Sequence, residues 1–168
     1  DGKCVFDPLL MRQALEILRD FDGVIAQHCQ EPRLTEDSQM NESYLAKELG
    51  LKGWPGVAEE MIIARDILLS LYLDVRVHIC HLSTARAVEL VRWGKAQGAK
   101  VTAEVTPHHL FLSEDELKGR AALFKVNPPL RSASDVQALR TALADGTIDL
   151  VGTDHAPHPD RLKDCDFE

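Results

Sequence analysis

Polar and hydrophobic positions along this chain form alternating blocks, some with the spacing of a helix and some with that of a strand. The pattern predicts helices over 8–20, 57–73, 84–97 and 132–144, with shorter ones over 44–49 and from Ser113. It predicts strands over 24–27, 75–80, 100–105 and 148–153. The polar stretch 31–41 is predicted to be a loop, and the Gly-Trp-Pro-Gly segment 53–56 a turn.

The strand predicted over 75–80 alternates strictly, and the alternation assigns its histidines to different faces. One face carries apolar residues and, just past the strand, a histidine: Val75, Val77, Ile79 and His81. The other face carries Arg76, His78 and Cys80. Since successive side chains of a strand point to opposite faces, we interpret His78 as structural and His81 as the histidine available for chemistry.

Strands that alternate with helices indicate parallel pairing through right-handed crossovers, which is an α/β fold. Each predicted strand is followed by polar or ionisable residues: His28, His81, His108, His109, Asp154 and His155. Functional groups collected at one edge favour a (β/α)8 TIM-type barrel, of which four strand–helix units make about half. The strand 148–153 is predicted to be buried, with Asp154 at its carboxyl end. No Gly-x-Gly-x-x-Gly follows any strand, so a dinucleotide site has no support.

Composition argues against two classes of partner. The formal net charge is −8, whereas proteins that bind nucleic acid or anionic membranes need an excess of Lys and Arg. The longest apolar stretch, 67–73, is too short to span a bilayer. The four cysteines lack Cys-x-x-Cys spacing, which favours reduced thiols in a cytoplasmic protein.

His28, His81 and Asp154 form the constellation that carries chemistry, because each follows a separate predicted strand. Neutral imidazole and carboxylate are the usual ligands of a zinc ion that also holds a water. The metal lowers the pKa of that water to near 7, and a nearby carboxylate can then accept its proton. The three residues therefore predict a hydrolytic metal centre.

Five motifs of the chain resemble those of dihydroorotases, in the long bacterial type of the amidohydrolase superfamily. They are His-Cys-Gln-Glu at 28–31, His-Ile-Cys-His-Leu-Ser-Thr at 78–84, Thr-Pro-His-His at 106–109, Lys-Val-Asn-Pro-Pro-Leu-Arg at 125–131 and Gly-Thr-Asp-His-Ala-Pro-His at 152–158. The resemblance covers essentially the whole chain and corresponds to the later part of the family's barrel. Residues 1–168 are therefore expected to be one partial amidohydrolase barrel domain, without its first strands and C-terminal segment.

The resemblance implies a zinc-dependent cyclic amidohydrolase that interconverts N-carbamoyl-L-aspartate and L-dihydroorotate in pyrimidine biosynthesis. Two zinc ions are implied, with Asp1 as the bridging carboxylate and His28 and His81 as ligands of the second metal. Asp154 is implied as a ligand of the first metal and as the catalytic general base and acid. Asn127 and His158 are implied to bind the substrate.

The chain departs from the family pattern because it contains no His-x-His pair, and no arginine that follows one. It also begins at Asp1 without a methionine and ends in charged residues. We interpret this as truncation and expect these 168 residues alone to have little or no activity.

Two alternatives remain open. A related cyclic amidohydrolase, such as an allantoinase or hydantoinase, is expected to carry a carboxylated lysine where Asp1 stands. A non-catalytic dihydroorotase homologue that acts as a partner of aspartate transcarbamoylase is expected to have lost its ligands. A homodimer and a transcarbamoylase complex are the assemblies left open. Of the other residues, His155 is predicted to support Asp154, His108 and His109 to fix a loop, and Arg131 to form a surface or supporting ion pair.

Overall fold

The computed structural model describes residues 4–119 and 122–159. The α-helices are α1 Pro8–Arg19, α2 Tyr44–Leu49, α3 Val57–Leu73, α4 Ala85–Ala96, α5 Pro107–Phe111 and α6 Ala133–Ala144. The strands are β1 Val24–Gln27, β2 Met40–Asn41, β3 Gly53–Trp54, β4 Arg76–Ile79, β5 Val101–Val105 and β6 Leu150–Val151. Two 3-10 helices, Glu114–Gly119 and Ala122–Phe124, lie between α5 and α6. No helix in the described ranges is long and apolar enough to cross a membrane.

The main sheet has the strand order β1-β4-β5-β6, and every pairing in it is parallel. Each strand therefore lies beside the next strand of the sheet along the chain, and the order never reverses as it does in a doubly wound sheet. Helices α3, α4 and α6 fill the three crossovers. Winding in a single direction is the geometry of a (β/α)8 barrel, so the predicted partial barrel is confirmed.

The hydrophobic core lies between the sheet and these helices. Its strand residues are the alternate ones that face the helices: Val77, Ile79, Val101, Ala103 and Val105. They belong to the same buried cluster as residues of α3 and α4, including Ile63, Ile67, Val88 and Val91. Full burial of a Val or Ile side chain contributes about 1.5–3 kcal/mol. The opposite face of the sheet carries Arg76, His78, Thr102 and Glu104, which are exposed or half-buried.

A second, two-stranded sheet corrects the prediction of a loop over 31–41 and a turn at 53–56. Met40 and Asn41 pair in parallel with Gly53 and Trp54, and the backbone N–H of Glu42 donates to the carbonyl of Trp54 at 3.1 Å. The two backbones run so close that a Cβ atom on Gly53 would lie 2.8 Å from the Cα of Glu42. The polar sequence hid this pairing because only two residues from each segment take part.

The strand predicted over 148–153 is wrong in length and in burial. The observed β6 has two residues, Leu150 and Val151, which are 44% and 46% exposed. In the described residues β6 is the edge strand of the sheet, paired on one side with β5. This single pairing accounts for the exposure of Leu150 and Val151 in the described residues.

Two other segments differ from their predicted form. His108 and His109 lie in helix α5 rather than in a loop, because the Thr106 side chain accepts from the backbone N–H of His109 and Pro107 occupies the first turn. The acidic helix predicted from Ser113 is the 3-10 helix Glu114–Gly119.

Asp66, in the middle of α3, is fully buried and gives a testable pH dependence. One carboxylate oxygen, Oδ1, pairs with Arg65 at 2.7 Å, whereas Oδ2 has no hydrogen-bond partner. Burial raises the pKa of Asp66 to about 6, although the charge and hydrogen bond of Arg65 oppose the shift. The folded protein therefore binds a proton here more tightly than the unfolded chain does.

This group destabilises the fold progressively as the pH rises from about 4 to about 6, because the folded state must then lose a proton that it holds tightly. Asp66→Asn removes this ionisable group. We therefore expect the unfolding free energy of the variant minus that of wild type to be about 3 kcal/mol larger at about pH 7 than at about pH 4. Chemical denaturation of the natural full-length protein across this range measures the difference, with the exposed Asp20→Asn as control. A difference that stays constant with pH would contradict the raised pKa.

Candidate functional site

His28 and His81 meet at the carboxyl ends of two neighbouring strands. Nδ1 of His28 lies 3.0 Å from Nε2 of His81, and the ring centroids are 4.7 Å apart. The register of the sheet brings them together, because Gln27 is paired with Ile79 at the last position of β1 and β4. The strand ends at Ile79 and His81 has a φ of +37°, so the predicted alternation does not extend to His81.

Gln30 orients the ring of His28, and the sequence interpretation gave this residue no role. Its Oε1 lies 2.8 Å from Nε2 of His28, while its own amide nitrogen donates to Oγ1 of Thr35 at 2.6 Å. An amide oxygen can only accept, so Nε2 of His28 carries the proton and Nδ1 presents a lone pair towards His81. Its signals in the sequence were its position two residues after a candidate ligand and its place in the His-Cys-Gln-Glu motif at 28–31.

The surroundings of His81 keep its ring neutral. The residue is 6% exposed, and burial, together with the nearby His28, lowers the pKa of His81 to about 4 against the opposing charge of Asp154. Its Nδ1 has no hydrogen-bond partner among the described residues. A neutral imidazole is the form that binds a metal.

The spacing of the two ring nitrogens fits a shared metal ion. Nitrogens bound to one tetrahedral zinc, each at about 2.0–2.1 Å, lie about 3.3 Å apart. The observed separation of 3.0 Å is close to that value. The pair therefore fits two of the ligands that the resemblance implies, without a rearrangement of the strands.

Asp154 lies three residues after β6 with a φ of +47°, and its side chain is exposed. Burial lowers the pKa values of His81 and His108, and the charge of Asp154 opposes this lowering at both histidines. The carboxylate therefore lies at the same end of the sheet as these two rings. Residues 4–119 and 122–159 contain one set of three candidate ligands mutually within 4.8 Å, and that set does not include Asp154. Its role as ligand and base therefore stays a prediction.

Of the remaining predicted site residues, Asn127 lies beside the histidine pair, whereas His155 and His158 follow Asp154. Asn127 is exposed, and its Nδ2 donates to Oε1 of Gln30 at 3.3 Å. A cleft of about 750 Å³ is lined by His28, Gln30 and Asn127 among others. His155 and His158 are exposed in the segment after Asp154. The prediction for Asp1 falls outside the described residues.

His109 holds the segment that carries Asn127. The ring is 1% exposed, with Nδ1 2.7 Å from Oγ1 of Thr106 and Nε2 3.1 Å from the carbonyl oxygen of Pro128. Burial lowers the pKa of His109 to about 3, so the ring stays neutral and donates from Nε2 to the carbonyl. The predicted fixing role is confirmed for His109, although the histidine acts from helix α5.

Arg131 connects the same segment to the chain beyond His81. Arg131 is 2% exposed, so the prediction of a surface ion pair is wrong. Its Nε donates to Oγ of Ser83 at 3.0 Å, and its Nη1 donates to the carbonyl of Trp54 at 2.7 Å. Glu59 lies behind it, with a carboxylate oxygen 3.8 Å from Nη2, and accepts from the backbone N–H of Ser83 at 2.9 Å. Burial raises the pKa of Glu59, and the charge of Arg131 opposes that rise.

Comparison with known protein families and sequences identifies dihydroorotases as relatives. The profile of the family described as Dihydro-orotase-like matches residues 3–87. A dihydroorotase of Leifsonia xyli is 64% identical over 168 residues, which are 100% of this chain and 38% of that protein. A dihydroorotase of Mycobacterium tuberculosis is 54% identical over 167 residues, or 99% of this chain and 39% of that protein. The chain thus spans well under half the length of these relatives.

The solved structures with the same fold are named hydantoinases or dihydropyrimidinases. A D-hydantoinase (dihydropyrimidinase) from Thermus sp. matches with a TM-score of 0.79 and 26% identity, over 92% of this chain and 35% of its own. An L-hydantoinase (dihydropyrimidinase) from Arthrobacter aurescens matches with a TM-score of 0.81 and 26% identity, over 94% of this chain and 36% of its own. A further D-hydantoinase, at 21% identity and a TM-score of 0.82, supports the fold alone.

The buried pair of Arg131 and Glu59 allows a prediction about the unfolding free energy of the protein. Arg131→Met leaves the Glu59 carboxylate buried without a cation, so we expect a loss of about 3–5 kcal/mol in unfolding free energy. The double variant Arg131→Met/Glu59→Gln removes that charge and should recover a large part of the loss. Chemical denaturation of the full-length protein measures both variants, and a double variant no more stable than the single one contradicts the explanation.

Proposed function

The chain belongs to the Dihydro-orotase-like family, and on that premise we propose that the protein interconverts N-carbamoyl-L-aspartate and L-dihydroorotate as a zinc-dependent cyclic amidohydrolase. The observation that carries the proposal is the pair of His28 and His81, with ring nitrogens 3.0 Å apart at the ends of adjacent strands. Relatives at 54–64% identity named dihydroorotase support this substrate.

His28 and His81 hold one zinc ion in this proposal, and Asp1 and Asp154 supply the carboxylates. When bound, zinc supplies a Lewis acid and lowers the pKa of water, which provides a nucleophile at neutral pH. Gln30 keeps the proton of His28 on Nε2, so that Nδ1 remains free to bind. A homodimer, a transcarbamoylase complex and a cytoplasmic location remain predictions.

Asp154 moves the proton in the reaction. Its carboxylate accepts a proton from the water that attacks the ring carbonyl of dihydroorotate, and then delivers this proton to the leaving ring nitrogen. Asn127 and His158 bind the substrate, and Asn127 already contacts the residue that orients His28. Because His109 fixes the adjacent Pro128 carbonyl, the Asn127 amide is held close to the metal ligands before substrate arrives.

A hydantoinase-type activity is the second candidate, and the structural matches at 26% identity favour it as the alternative. Both candidates open a cyclic amide, so substrate preference separates them. Dihydroorotate, hydantoin and dihydrouracil, offered to the same full-length zinc-loaded enzyme, should give a clear preference for dihydroorotate. A preference for either of the other rings favours the alternative, and no turnover of any of them favours a non-catalytic homologue.

Asp154→Asn tests the proton-transfer role. We expect kcat for dihydroorotate hydrolysis to fall by about 10²–10⁴-fold, since the amide cannot accept the proton. Asp37→Asn is the matched control, because Asp37 is also exposed and also has a left-handed backbone, with a φ of +54° against +47° for Asp154. Steady-state kinetics measure both, and unchanged kcat in Asp154→Asn would contradict the assignment.

Gln30→Met tests the orientation of His28 independently of turnover. Loss of the hydrogen bond to Nε2 should weaken zinc binding by about 10–100-fold, as is typical for partners of metal-bound histidines. Competition with a chelator measures the affinity in the full-length protein, and the exposed Gln13→Met is the control. Equal zinc affinity in both variants would show that Gln30 does not orient the ligand.

A further inference from the structure

A second group of metal-binding side chains lies on the face of the sheet opposite the helices. His78 and Cys80 are two residues apart along β4 and its exit, so they point to the same face. The register pairs His78 with Thr102 on β5, and Glu104 follows two residues after Thr102. Alternation in two neighbouring parallel strands thus brings an imidazole, a thiol and a carboxylate together.

The three side chains are close enough to share one ion. Their ligand atoms lie mutually within 4.8 Å, and Nε2 of His78 is 3.3 Å from Oε2 of Glu104. The side chains of His78 and Glu104 are 16% and 17% exposed, so they are partly removed from water. Ligand atoms around a tetrahedral zinc lie about 3.3–3.8 Å apart, which small rotations of these side chains can reach.

Two neighbouring residues prepare the group for an ion. Nδ1 of His78 lies 2.8 Å from Oγ1 of Thr102, an arrangement that directs Nε2 towards the other two ligands, as supporting hydrogen bonds do at metal sites. Gly152 gives room to the carboxylate, because a Cβ atom there would collide with the side chain of Glu104. Both features concern residues that the proposed amidohydrolase chemistry does not use.

We propose that His78, Cys80 and Glu104 form a second metal site, which binds a thiophilic divalent cation such as Zn²⁺ and leaves one coordination position open. Sulfur with imidazole nitrogen selects zinc over magnesium or calcium, which prefer oxygen ligands. The site differs from the pair of His28 and His81 by its thiolate. It does not depend on the proposed dihydroorotase activity.

The thiolate gives the experiment a specific signal. Cobalt(II) loaded into the metal-free full-length protein should produce a near-ultraviolet sulfur-to-cobalt charge-transfer band, which ligation by histidine and carboxylate alone does not give. We expect the band to persist in His28→Ala/His81→Ala and to disappear in Cys80→Ser. Glu104→Gln and His78→Gln should each weaken cobalt binding by at least about 10-fold.

Cys29→Ser is the matched control, because Cys29 follows His28 directly just as Cys80 precedes His81, yet its thiol is buried against the carbonyl of Gln27. This variant should keep the band. X-ray absorption of the zinc-loaded wild-type protein supplies a measurement that needs no variant, with sulfur expected in the first shell at about 2.3 Å. A spectrum without sulfur, or a band that survives in Cys80→Ser, overturns the proposal.

Discussion

The parallel register between β1 and β4 is the constraint on which the candidate site depends. Because Gln27 and Ile79 are paired at the last position of each strand, the residues that follow them leave the sheet side by side. His28 and His81, 53 positions apart in the sequence, therefore meet with their ring nitrogens 3.0 Å apart. A shift of the register by one residue would turn each side chain to the other face of the sheet and would separate the pair.

Much of the fold follows from local sequence, whereas the interior of the site does not. The longer helices and the strands β1, β4 and β5 are visible in hydrophobic spacing, since each depends on a few consecutive residues. The left-handed backbone of His81 is invisible to a period-two pattern, and it redirects the ring that the pattern had assigned. The burial of Arg131 depends on partners such as Ser83, 48 residues away, and the contact of Asn127 with Gln30 spans 97 residues. No local signal reports contacts over such distances.

Buried polar bonds help to position the segment that carries Asn127. His109 donates to the carbonyl of Pro128, and Arg131 reaches the carbonyl of Trp54 and the hydroxyl of Ser83. Each buried donor or acceptor that loses its partner costs about 1–3 kcal/mol, and more when charged. This cost restricts the segment, and Asn127 with it, to conformations that keep the bonds.

The exit of β4 supplies adjacent residues to two different environments. Cys80 continues the alternation and faces Glu104, whereas the φ of +37° at His81 turns the next side chain towards His28. A non-glycine residue with such a backbone persists only where its surroundings fix it, and the hydrogen bonds from the backbone N–H and hydroxyl of Ser83 to Glu59 supply a restraint two residues later. The backbone turn at His81 is therefore what allows one strand to serve both the histidine pair and the thiol-containing group. Without this turn, His81 would point towards the helices with Val77 and Ile79.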